Sequence, residues 1–190
     1  MNTPEYIANI DELTRRNAVF ISEILLSQRA GLSCLPDELG LPPAEFSAMM
    51  AYFQKYLPSR LTKPYETLSE SGAIRQDLLE LREQEWLDIK SLLLEHCNCQ
   101  DISEIWLAQI IAAACLGGSH LWRDLGLSSR QNLRDLLQQN FTSLYQLNNK
   151  DMRWKKFFYR QLCEQEGHYI CRSPSCESCS TYDECFGEEL

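Results

Sequence analysis

The chain is expected to be all-α: a helical bundle over residues 1–166, followed by an irregular, cysteine-rich, metal-binding segment over 167–190. Three observations carry that expectation. Apolar residues recur along the body at helical spacing, with no two-residue alternation of the kind a half-buried strand shows. Proline, glycine and short polar residues punctuate the body where helices start and stop. In the tail, four of the nine cysteines fall in Cys171-x4-Cys176-x2-Cys179-x5-Cys185, a stretch too short to bury an apolar core of its own. A length of 190 residues fits one domain with an appended site.

Thr3 and Pro4 open the first helix, with proline at its first position. Tyr6, Ile10, Leu13, Ile21, Ile24 and Leu25 give its apolar spacing, and Gly31 its stop. Pro42 and Pro43 open a second helix carrying Phe46, Met49, Met50 and Phe53, ended by Pro58. Residues 58–72 hold Pro58, Pro64, Ser69, Ser71 and Gly72 without a helical period, and read as a linker. A long helix is expected from about 73 to 96. Asp101 and Glu104 have capping-box spacing before a helix that runs to Gly117-Gly118. Ser119 is placed to cap a short helix stopped by Gly126, and Ser128 with Gln131 repeats the capping pattern. A last helix spans about 150–166 before Gly167.

Hydrophobic content of 44% and charged content of 24% are those of a soluble globular protein with a substantial core. The net charge of −9 opposes a nucleic-acid surface. The N-terminus lacks a basic stretch followed by an apolar one, and the longest apolar run, 105–116, is too short to span a bilayer. A cytoplasmic protein without membrane contact is expected, with its thiols reduced. An odd cysteine count also argues against a disulfide framework. No phosphate loop, dinucleotide fingerprint, nucleophile elbow or zinc-protease motif is present, so no catalytic residue is expected and the chain does not read as an enzyme.

Chemistry is concentrated in the tail. The order Cys-x4-Cys-x2-Cys matches the first three ligands of a plant-type iron–sulfur loop, with a fourth thiol close behind. Pro174 stiffens the first gap, and Ser173, Ser175, Ser178 and Ser180 leave backbone N–H groups accessible to sulfur. Zinc sites more often pair two short Cys-x-x-Cys units across a longer loop, so a structural zinc knuckle is the competing reading.

The helix before the cluster reads Met152-Arg-Trp-Lys-Lys-Phe-Phe-Tyr-Arg-Gln-Leu162. Trp154, Phe158 and Leu162 form an apolar stripe, with Phe157 alongside; Arg153, Lys156 and Arg160 fall on another face, with Lys155 beside them. Such a face is ordinarily just solvated. Here it also reads as an electropositive wall that offsets thiolate charge, draws in an oxyanion or docks an acidic partner. His120, at the start of a short helix, is a secondary metal candidate, and Cys163 a reserve ligand. His96-Cys97-Asn98-Cys99 is a weak metal signal, Cys34 and Cys115 read as loop and core residues, and His168 stands near the cluster in sequence.

Three stretches together resemble the NifQ proteins of nitrogen fixation: His120-Leu-Trp-Arg-Asp-Leu-Gly-Leu127, Met152 to Cys163, and Cys171-Arg-Ser-Pro-Ser-Cys176-Glu-Ser-Cys179 closing with Cys185-Phe186-Gly187. The resemblance covers the C-terminal half; residues 1–100 match only in helical character. It implies a molybdenum–iron–sulfur protein that supplies molybdenum for the iron–molybdenum cofactor of nitrogenase. Cys171, Cys176, Cys179 and Cys185 would hold the mixed cluster, molybdate would be the source, and a cofactor scaffold complex and the nitrogenase iron protein would be partners. Two other classes stay open. Helical DNA-repair glycosylases carry a C-terminal four-cysteine iron–sulfur loop, but their spacing begins with x6, and their helix–hairpin–helix and catalytic Asp–Lys pair have no counterpart here. A zinc-stabilised interaction module is the third.

Overall fold

A computed structural model describes residues 3–62 and 70–165, together with Asp183, Phe186 and Gly187. The described residues are helical without a strand: α1 (Thr3–Arg29), α2 (Pro43–Phe53), α3 (Glu70–Leu81), α4 (Glu83–Glu95), α5 (Ser103–Cys115), α6 (Leu121–Leu125), α7 (Arg130–Asn140), α8 (Thr142–Leu147) and α9 (Trp154–Gln165).

Helix α5 is the axis of the bundle. Its sequence is apolar all round, and Ile105 alone among its residues is exposed. Leu107, Ile110 and Ile111 have no exposed surface, and burying side chains of this size contributes about 1.5–3 kcal/mol each. Small residues at Ala108, Ala112 and Ala114 leave room for neighbours to approach, and α2, α4 and α6 pack against this helix. Helix α9 lies on α4, while α7 joins α1, α6 and α8.

A buried polar staple ties three of these helices. Asn17 of α1 donates to Ser103 Oγ and to Asn140 Oδ1, both at 2.8 Å, and Asn140 Nδ2 returns a bond to Asn17 Oδ1 at 3.0 Å. All three residues are fully buried, so each polar group needs these partners.

Several boundaries differ from the sequence expectation, each for a visible reason. The long helix expected over 73–96 is two helices. It begins earlier, at Glu70, and breaks at Arg82, whose φ of −119° and ψ of 29° leave the helical region. Arg82 binds Glu85 through both carboxylate oxygens at 2.7 Å and donates to the Leu116 carbonyl at 2.7 Å, interactions that no glycine or proline announces. The second helix ends at Phe53 rather than Pro58, passing into a turn in which Tyr56 and Leu57 donate to the Phe53 carbonyl. The start of the expected linker is packed: Leu61 is fully buried, and Arg29 donates to the Arg60 and Leu61 carbonyls. The cap of α7 is Ser129, not Ser128, and accepts from Asn132 N–H at 3.1 Å. His120, not Ser119, is the N-cap residue of α6. The last helix starts at Trp154 because Asn148 clasps Met152 in two 2.8 Å bonds and Asp151 takes φ 54°. The Asp101–Glu104 reading holds in part: Glu104 accepts the N–H groups of Cys99, Gln100 and Asp101, and Asp101 accepts that of Ser103.

Candidate functional site

Cys171, Cys176, Cys179 and Cys185 lie outside the described residues, as does His168. Phe186, next after Cys185 in the chain, is half-buried and packs against the hydrophobic core, and Gly187 N–H donates to the Asp183 carbonyl at 2.9 Å. The described part of the candidate site is therefore the helix that precedes the cysteine run in sequence, α9, together with the 117–120 loop that Lys155 contacts.

Helix α9 is seated by its aromatic residues. Trp154, Phe157 and Phe158 are buried, and Trp154 stacks on Tyr145 with centroids 5.9 Å apart and meets Phe157 edge-on at 5.7 Å. The expected stripe of Trp154 and Phe158 is thus the core face, with Leu162 partly buried at its end. Tyr159 O–H donates to Glu85, which Arg82 also holds, so α9 is pinned to the start of α4. Burial acts to raise the Glu85 pKa, but the hydrogen bonds from Arg82 and Tyr159 outweigh it and hold the carboxyl below its usual value. Burial and the Glu85 bond push the Tyr159 phenol up.

The basic residues expected to act together have three different fates. Lys155 turns inward: it pairs with Asp124 and donates to the Gly117 carbonyl at 2.8 Å. Asp124 also accepts Ser119 N–H at 2.9 Å, so one buried ion pair sets the shape of the 117–120 loop. Arg160 pairs with Glu164 at 2.8 Å, one helical turn further along α9. Arg153 and Lys156 line a cleft of about 340 Å³, and His120 lines it from the loop side, with Gly118, Ser119 and Trp154. The structure so brings His120, Arg153 and Lys156 together and leaves Arg160 out of that lining. A larger cleft of about 610 Å³ shares Gly118 and Ser119 and carries Arg75, Arg82 and Arg123 over apolar residues including Leu78 and Leu116.

Three of the body thiols are held towards their protonated form by their surroundings. Burial, then the Asp124 charge, pushes Cys34 up to about 12. Burial, then its bond to Glu104 at 3.1 Å, pushes Cys97 up to about 12. Burial also raises Cys115, which is fully enclosed. A thiol raised in this way is harder to convert into the thiolate that metals bind. His96 Nδ1 is engaged with Ser143 Oγ at 2.8 Å and Cys99 is exposed, so the His96–Cys99 stretch does not converge. Cys163 is a half-buried free thiol. Among the described residues no three His, Cys, Asp or Glu side chains are grouped to hold a metal ion. Among them, too, no helix is long and apolar enough to cross a membrane.

Asp124 and the Gly118–Ser119 backbone were not singled out by the sequence. The signal was present in the spacing: Asp124 stands one helical turn after His120, directly behind the glycine break, where an acid can reach back to cap a loop.

Comparison with known proteins adds to these observations. The NifQ family profile matches residues 20–187. The chain is 49% identical over 177 residues to Protein NifQ of Azotobacter vinelandii, covering 93% of this chain and 91% of that protein. It is 46% identical over 99 residues to the NifQ homolog of Sinorhizobium fredii, covering 52% of this chain and 43% of that protein. It is 38% identical over 172 residues to Protein NifQ of Klebsiella pneumoniae, covering 88% and 96%. No solved structure matches. With both full-length relatives and the family profile spanning body and tail alike, the chain belongs to the NifQ family of nitrogen fixation.

Proposed function

We propose that this chain carries a molybdenum–iron–sulfur cluster as cargo and donates its molybdenum to the iron–molybdenum cofactor of nitrogenase. The observation that carries the reading is the four-thiol run Cys171, Cys176, Cys179 and Cys185, placed directly behind the cationic helix α9 in a chain of the NifQ family. Soft thiolates suit iron, and bridging sulfide suits molybdenum. In this reading the four cysteines hold the iron corners and leave the molybdenum corner exchangeable. The chain acts as a carrier rather than a catalyst.

Two features of the body support the reading. Its half-buried Cys34 and Cys97 thiols are pushed up by their surroundings, which disfavours the thiolate that metals bind. Arg153, just before α9, and Lys156, in its first turn, precede the cysteine run in sequence, and in this reading cations on that approach help offset the negative charge of a thiolate-bound cluster. Donation requires a receiver, and the proposed partners are the cofactor scaffold complex and the nitrogenase iron protein, with molybdate as the source.

The test is transfer. Protein purified without oxygen from cells given molybdate is mixed with the scaffold complex and the iron protein, separated again, and each fraction assayed for molybdenum. The reading expects molybdenum to move to the scaffold from wild type and not from Cys176→Ala. Molybdenum that stays with the carrier, or transfer that survives removal of the thiol, overturns it. Stoichiometric zinc without iron or sulfide would favour the zinc module instead.

A further inference from the structure

We propose that the outer face of α3 is a docking surface for a helix of a partner protein, one that carries an apolar stripe bordered by lysine and arginine. Helix α3 meets the body along one side. Arg75 donates to the Leu35 carbonyl at 3.3 Å, Leu79 packs against the core, and Gly72 comes so close to Asp37 that a Cβ would overlap its carboxylate. Ile74, Leu78 and Leu81 recur at i, i+4 and i+7 on a different face. They are 55%, 55% and 81% exposed.

Single apolar residues on a surface are ordinary, but a helical stripe of them is what a helix presents to a packed neighbour. Among the described residues Leu81 is the most exposed large apolar side chain, and Leu32, at 74%, comes next. Leu32 and Leu78 line the same cleft of about 610 Å³, so the apolar surface runs from the stripe towards the loop after α1. Anchors spaced by four and then three residues are the pattern by which amphipathic helices dock on one another.

The charge beside the stripe selects the partner. Residues 70–81 carry three acids and one base, and that base, Arg75, is turned to the Leu35 carbonyl. Arg82, just past the helix, is held by both carboxylate oxygens of Glu85. Asp77 is exposed and borders the stripe on the side away from these arginines, and exposed Glu80 lies beyond it. Asp77 also shares a cleft with Asp37 and Glu38. A partner helix with cations along its own stripe meets complementary charge at this border. A second copy of the chain fits less well, because a two-fold interface turns one patch on itself and sets acid against acid. An anionic lipid surface repels the same acids. The surface stands on exposure and charge, independently of the cargo reading above.

The experiment is fluorescence anisotropy of a labelled synthetic helical peptide titrated with the full chain at about 0.15 M salt. The probe is about 20 residues long, with leucines at i, i+3, i+4 and i+7 and lysines on both borders; a second peptide keeps the leucines and carries glutamates instead. Wild type is expected to bind the lysine peptide with saturation, and at least about tenfold more tightly than the glutamate peptide. Leu78→Gln/Leu81→Gln, which leaves the charge unchanged, is expected to weaken binding at least about tenfold, and Leu81→Gln alone, at the most exposed position, several-fold. Asp77→Asn/Glu80→Gln is expected to weaken it several-fold and to flatten its salt dependence. Leu147→Gln, an exposed apolar residue of α8, is expected to change it less than about twofold. Absence of saturable binding, equal affinity for the two peptides, equal affinity in the leucine double variant, or an equal loss in Leu147→Gln overturns the surface. Self-association of wild type that the leucine double variant abolishes, seen by sedimentation, also overturns it, since a second copy then covers the face.

Discussion

Replacing Lys155 by methionine removes the ammonium from the loop that shapes the cleft while keeping the apolar stem. The side chains of the pair are only 15% and 7% exposed, so the ion pair with Asp124 is shielded from water. Breaking a buried pair costs about 3–5 kcal/mol, because the remaining charge stays desolvated. Asp124 retains the Ser119 N–H at 2.9 Å, which lowers the expected loss to about 2–4 kcal/mol. For 190 residues the unfolding entropy is about 0.4 kcal/mol/K, so a loss of about 3 kcal/mol lowers Tm by about 7 °C. Urea unfolding followed by far-UV circular dichroism measures this as a lower midpoint at unchanged slope. Asp124→Asn combined with Lys155→Met leaves no unpaired charge and is expected to recover a large part of the loss. A Lys155→Met variant within about 0.5 kcal/mol of wild type would show the pair to be worth no more than a surface contact, and the account of the loop would be wrong.

Other substitutions probe the frame around the site. Gly126 has φ 82° and a Cβ there would overlap Ser27, so Gly126→Ala is expected to cost about 3 kcal/mol or more, whereas Gly31→Ala, at φ 72° in open space, costs about 1 kcal/mol; chemical denaturation of the two variants side by side measures the difference. Asn140→Ala removes one of the buried partners of Asn17, leaving Ser103, and is expected to cost about 1–3 kcal/mol by the same assay. Thiol labelling of folded protein at pH 8, read by mass spectrometry, is expected to modify exposed Cys99 and spare Cys34, Cys97 and Cys115. Cys34 and Cys97 are raised from 9.0 to about 12 in the fold, so the folded state holds protons that the unfolded state releases. Their contribution to stability is complete below about pH 9 and is lost as pH rises towards 12, which urea midpoints across that range measure.

The fold class was legible because α1, α5 and α9 carry their burial in their own spacing: Ile21, Ile24 and Leu25, the apolar run of α5, and Trp154 with Phe158 are core residues as the pattern requires. The break at Arg82 was not legible, because it is made by a guanidinium reaching Leu116 across 34 residues rather than by local backbone chemistry. The cap at Ser129 was missed by one residue for a simpler reason: Ser128 and Ser129 are adjacent and both qualify locally. In the candidate site, the cationic face of α9 was visible as a charge pattern, but helical spacing cannot say that Lys155 turns to Asp124, that Arg160 pairs along its own helix, or that His120 joins Arg153 and Lys156 at one cleft. Those placements depend on α6 and the preceding loop packing against α9.

What the tail thiols hold decides whether the chain is a molybdenum carrier. Iron, acid-labile sulfide and molybdenum should be quantified in protein purified without oxygen, for wild type and for Cys176→Ala. All three are expected in wild type at constant ratio, with sharp loss in the variant. Zinc in place of iron and sulfide, or metal content unchanged by the substitution, would contradict it.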